Sequence, residues 1–183
     1  MKKYYPLLCS IILYTFVLIY LLLLLYMLIF QRVIFGGGQF DICPINLIPF
    51  RTIGEYFSNQ RGFWHNFLNV NIIWNIIAFV PFGLYLPIVR GNRKIAVYLA
   101  WIFLFSLSAE IIQWFFRVGV ADIDDITLNC LGGFLGLVAY RVLLLVLRKE
   151  NRVRIFTTVI SVLVGSPILY IVIADYFRFR SLV

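Results

Sequence analysis

Between Lys3 and Gln31 the chain carries no charged residue, and the stretch from about Pro6 to Phe30 is almost wholly apolar. In a helix, at about 1.5 Å per residue, such a run crosses a hydrocarbon core of about 30 Å. Inside that core every backbone N–H and C=O must be satisfied by the chain itself, which leaves a helix or a closed barrel as the possible forms. A run this long and uninterrupted selects the helix. Lys2 and Lys3 ahead of it resemble the start of a secretory signal. The run is longer than a signal core, however, and no A-x-A cleavage site follows, so it reads as an uncleaved anchor.

The pattern recurs from about Val70 to Val89, Ile95 to Phe116, Ile126 to Leu147 and Ile155 to Ala174, with short polar gaps between. Hydrophobic residues make up 63% of the sequence, against about 45–50% in soluble domains. The expected fold is therefore an all-α integral membrane protein with five transmembrane helices in one bundle. The expected organisation is a single domain over 1–183. Its motif-bearing core covers 46–140, and the first helix (6–30) and last helix (155–174) are accessory to it.

Residues 31–69 break the pattern with Gly36, Gly37, Gly38, Pro44 and Pro49 among scattered aromatics, and no run there can span a bilayer. An interfacial or re-entrant segment between the first two spans accounts for both features. Thr52 and Glu55 have the spacing of a capping box. Pro81, in FVPFG, predicts a kink in the second span.

Lys and Arg number 16 and Asp and Glu 8. The cations lie in gaps between apolar runs rather than on a soluble face, which argues against nucleic acid and for lipid headgroups as their partners. With a cytoplasmic N-terminus, Lys2, Lys3, Arg90, Arg93, Lys94, Arg148, Lys149, Arg152 and Arg154 lie inside, and Arg32, Arg51, Arg61, Arg117, Arg178 and Arg180 outside. That 9 to 6 bias sets the expected orientation. Cys9 and Cys130 lie within apolar runs and Cys43 in a loop, so no disulfide framework is expected. His65, the only histidine, has no metal-ligand company at suitable spacing.

Charge is scarce, and its clustering from Gly119 to Gly136 (GVADIDDITLNCLGGFLG) is informative. Read as a helix starting near Asp122, this stretch sets Asp122, Asp125, Asn129, Gly132 or Gly133, and Gly136 on one face. The preceding span carries Glu110 and Gln113 on a shared face near its end, and the second span carries Asn71 and Asn75 one turn apart. Two readings stay open: acids that cap and pair helices, and a site. As a site, the chemistry is that of oxygen ligands. It suits a hard divalent cation such as Mg²⁺ or Ca²⁺, or amino, hydroxyl and ammonium groups, with no metal set specified. Glu110, Asp122 and Asp125 are the candidate catalytic groups; Asn75, Gln113, Asp124 and Asn129 are candidate binding groups. The sequence has no P-loop, and no histidine is placed to activate Ser or Cys.

The ordered set NLIPF, NIIAFVPFG, EIIQ and GVADIDDITLNCLGGFLG, from Asn46 to Gly136, resembles the VanZ family of bacterial membrane proteins. The resemblance carries over to Asn46, Pro49 and Phe50; Asn75, Pro81 and Gly83; Glu110 and Gln113; and Asp122, Asp125, Asn129 and Gly132, which adds Asn46 to the candidate binding residues. It implies a multi-pass protein of the bacterial cytoplasmic membrane that lowers susceptibility to teicoplanin and related lipoglycopeptides at the outer face. Membrane lipid, a lipid-linked cell-wall precursor or the drug would be its partners. The alternative is a membrane enzyme that modifies a lipid-linked envelope substrate through the outward carboxylates, with a divalent cation.

Overall fold

The computed structural model describes residues 5–34, 45–51, 53–54, 63–91, 94–117 and 121–180; the side chains of 5–6, 29–34, 63–71, 168, 171–173 and 175–180 lie outside the description. Five helices make up nearly all of it: α1 (Tyr5–Ile34), α2 (Phe63–Arg90), α3 (Ile95–Phe115), α4 (Ile123–Leu147) and α5 (Glu150–Arg180). Two short strands, β1 (Ile45–Asn46) and β2 (Ala121–Asp122), pair in parallel, with Ile45 opposite Ala121 and Asn46 opposite Asp122. Among the described residues four helices are long and apolar enough to cross a membrane, over Leu7–Leu28, Ile72–Arg90, Ile95–Phe115 and Ile123–Leu147. The protein is an all-α multi-pass membrane protein. The proposed capping box, the Gly36–Gly38 triplet, Cys43 and the side chains of His65 and Asn71 fall outside the described residues.

The helices start and stop for local reasons. Gly91 takes φ +72 and its N–H reaches Pro87 O at 3.0 Å, a left-handed termination of α2 that a glycine accepts without Cβ strain. The turn into α3 is braced by the Tyr98 hydroxyl, which donates to Gly91 O, and by the Arg90 guanidinium, 4.3 Å from the centre of the Trp101 ring. Helix α2 is continuous through Pro81 and Pro87. Helix α4 begins at Ile123, next to the Asp122 start read from the sequence and three residues ahead of the apolar run from Ile126, because the Asp122 carboxylate accepts the Asp124 N–H at 2.9 Å and so caps the first turn.

Residues 23–142 form one compact unit. Its centre is glycine-lined. A Cβ on Gly132 would overlap the Ile76 carbonyl, one on Gly136 the Val80 carbonyl, and one on Gly83 the Gly133 carbonyl, so α2 and α4 meet backbone to backbone. The buried positions of α4 fall in pairs four apart: Asp124 and Asp125, Leu128 and Asn129, Gly132 and Gly133, then Gly136 and Leu137. Between α2 and α3, Phe79 packs edge-on to Phe82 and Phe105, with ring centroids 5.8 and 6.1 Å away.

Residues 1–22 and 143–183 form the second unit. There α1 meets α5 at Gly165, which admits the Phe16 ring, and Leu13 of α1 and Val153 of α5 are fully buried. The Cys9 thiol donates to Thr158 Oγ1 at 3.4 Å and Arg154 Nη1 to Ser10 Oγ at 3.3 Å. Cys9 is thus a free thiol in a helix contact, in keeping with a packing role.

Candidate functional site

Helix α3 presents Ser106, Ala109, Glu110 and Gln113 as its buried face toward its C-terminal end, a spacing of three and four that aligns side chains along one stripe. Helix α4 runs antiparallel to it, and the contacts step inward in register. Nearest the helix ends, the Asp122 N–H donates to Glu110 Oε2 at 3.0 Å. Deeper, Asn75 Nδ2 of α2 donates to Asp125 Oδ1 at 2.7 Å. Deeper still, Asn129 Nδ2 donates to Ser106 Oγ at 2.9 Å. Gln113 Nε2 donates to Leu28 O of α1. All these side chains are buried, none more than 4% exposed, so each polar group needs a partner.

The NLIPF loop is fastened onto this stack. Asn46 Nδ2 donates to Asp122 Oδ1 at 3.2 Å, and Asp124 accepts two backbone amides of the loop, Phe50 N at 2.6 Å on Oδ1 and Ile53 N at 3.3 Å on Oδ2. Phe50 sits at φ +63, a left-handed conformation that costs a bulky residue about 1–3 kcal/mol. The Asp124 carboxylate holds it there.

The eight candidate side chains therefore divide into connected groups. Glu110, Asp122, Asp124 and Asn46 form one network with the loop; Asp125 joins Asn75; Asn129 joins Ser106; Gln113 reaches back to α1. Asp122 does not lie on the α4 stripe as its first member. It sits in β2, because its side chain serves better as a cap than as a helical residue. Two buried acceptors, Gln113 Oε1 and Asn129 Oδ1, have no hydrogen-bond partner. Among the described residues, no group of three or more His, Cys, Asp or Glu side chains is arranged to hold a metal ion. Each of these acids accepts at least one amide: Glu110 the Asp122 N–H, Asp122 Asn46 Nδ2 and the Asp124 N–H, Asp124 the Phe50 and Ile53 N–H groups, and Asp125 Asn75 Nδ2.

Sequence reasoning did not single out Ser106, the Leu28 carbonyl, or the Phe50 and Ile53 amides. Ser106 had a signal, since it precedes Glu110 by four and Gln113 by seven on one helix face. The backbone partners had none, because any residue type supplies an N–H or C=O.

The Asn75–Asp125 pair invites a direct measurement. Asn75→Leu and Asp125→Asn are expected to be non-additive by about 0.5–3 kcal/mol in a double-mutant cycle on unfolding in detergent. Additive effects would show that this contact contributes nothing.

Residues 12–147, well over half of the chain, match the sequence model of the family described as VanZ/LLP1. Protein VanZ of Enterococcus faecium is 35% identical over 96 residues, which is 52% of this chain and 52% of that protein. The chain thus spans about half the length of the curated relative it matches. No solved structure matches the chain. The matched residues contain every motif from the NLIPF loop to the glycine stripe, and the chain belongs to the VanZ/LLP1 family.

Proposed function

We propose that this protein acts in the bacterial cytoplasmic membrane to lower susceptibility to glycopeptide antibiotics, teicoplanin and related lipoglycopeptides above all. In this reading it works at the outer face, by engaging the drug or a lipid-linked cell-wall precursor rather than by chemistry on either. Family membership and the 9 to 6 distribution of flanking cations support the setting and the orientation.

The observation that carries the binding role is how the carboxylates are used. Asp124 accepts two loop amides, Glu110 accepts the Asp122 amide, and Asp122 accepts both Asn46 Nδ2 and the Asp124 amide. These bonds commit the acids to positioning a loop rich in apolar side chains above a polar stack. That arrangement suits an amphipathic, lipid-anchored ligand, and gives less support to carboxylate catalysis on a headgroup.

Expression in a susceptible strain is expected to raise the inhibitory concentration of teicoplanin more than that of vancomycin. The protein's presence in the membrane fraction is the accompanying control. Membrane-inserted protein with no change for either drug would refute the proposal.

A further inference from the structure

We infer that the Ile45–Phe50 loop is a fixed apolar wedge seated among the acyl chains of the leaflet at its end of the protein, with Asp124 as its anchor. Three observations converge on lipid as the occupant, and none depends on the resistance reading.

The first is exposure. Ile45, Leu47, Ile48 and Phe50 are 53%, 71%, 60% and 65% exposed, an apolar crown held from beneath by the Asn46–Asp122 and Phe50–Asp124 bonds and followed by the exposed Arg51, whose long side chain can reach the headgroups. The second is how the loop's amides are satisfied. Ile48 N donates to Asn46 Oδ1 and Phe50 N to Asp124, Pro49 has no N–H to satisfy, and the helical turn that follows at 51 and 53–54 gives its Ile53 N to Asp124 as well. A loop bathed in water can leave such donors to solvent. A loop in hydrocarbon cannot, and non-helical backbone at membrane depth persists only when the protein itself supplies the acceptors.

The third is depth. The loop's base is tied through β2 to Glu110, five residues before the end of α3, which is about 7 Å down the helix axis. Helix α3, with 21 residues, is about 31 Å long and so barely exceeds the hydrocarbon core. Beyond Glu110 its outer surface is Ile111, Trp114, Phe115 and Phe116, all exposed, the aromatic-rich rim expected at a membrane boundary.

A wedge at this depth keeps Asp122 and Asp124 just beneath the headgroups. A lipid-anchored molecule would meet it by lateral diffusion within the leaflet.

The test is depth measurement by nitroxide labelling in bilayer vesicles. Leu47→Cys and Ile48→Cys are labelled separately in a full-length background with Cys9, Cys43 and Cys130 replaced by alanine; Lys94→Cys, exposed in the turn after α2, is the aqueous control. Both loop labels are expected to collide freely with oxygen and to be shielded from a water-soluble nickel chelate, the reverse of the Lys94→Cys label. Nickel access at both loop positions would overturn the inference, placing the crown in water. Shielding from oxygen and nickel alike would also overturn it, because the crown would then be covered by a second copy or another protein.

Discussion

Gly132→Ala is expected to destabilise the protein by about 3 kcal/mol or more, at or above the upper end of ordinary overpacking. The added methyl would run into the Ile76 carbonyl. That neighbour is backbone in the middle of a spanning helix, with no rotamer to give up, so α2 and α4 must move apart. At about 2–4 °C per kcal/mol for a chain of this size, the thermal midpoint in detergent falls by about 6–12 °C. Gly136→Ala and Gly83→Ala meet the Val80 and Gly133 carbonyls and belong in the same class.

Gly133→Ala separates steric overlap with backbone from overlap with a side chain. Its methyl would lie 2.7 Å from Ile102 Cδ1 and Cγ2, side-chain atoms that can shift with a χ change where a backbone carbonyl cannot. The expected loss is smaller, and Ile102→Val should recover part of it. Gly54, with open space around it, should tolerate alanine to within about 0.5 kcal/mol. Equal melting temperatures for Gly54→Ala and Gly132→Ala would mean that α2 and α4 do not pack through their glycines.

This stripe was the most legible part of the interior. Small residues three and four apart in an apolar run have few uses besides close helix approach, and the sequence placed Gly132 or Gly133 and Gly136 on the face they occupy. Spans were legible for a similar reason, since length and charge content suffice to recognise them. Glu110 and Gln113 were visible because burying them is costly, and that cost made a partner necessary without naming it. The partner of Glu110 proved to be the backbone of Asp122, and that of Gln113 a carbonyl of α1. The start of α4 was legible from its acids, which put it near Asp122, although the apolar run alone begins only at Ile126. Least legible was the link between the NLIPF loop and Asp124, separated by 74 positions in sequence and made to N–H groups that every residue but proline carries. The sequence ranked Asp124 among binding groups, and the structure adds two loop amides that it accepts.

Asp124→Ala tests what that link contributes. The carboxylate is 1% exposed and takes the Phe50 and Ile53 amides, with Phe50 held at φ +63. Truncation removes the acceptor from both donors, and hydrogen bonds to a charged group contribute about 1.5–3 kcal/mol each. Phe50 would then relax toward negative φ, because the strain of the left-handed region is no longer offset. A local loss of about 3–4 kcal/mol corresponds to amide hydrogen exchange at Phe50 and Ile53 about 10²–10³ times faster. Asp124→Asn keeps one oxygen acceptor without the charge and should fall between wild type and alanine. The effect should stay local: Ile102 to Ala109 lie mid-helix on α3 with their own backbone ladder, and their exchange should be unchanged. Unaltered exchange at Phe50 in Asp124→Ala would show that the loop keeps its shape without the carboxylate, and the aspartate would then be a helix-start acid like any other.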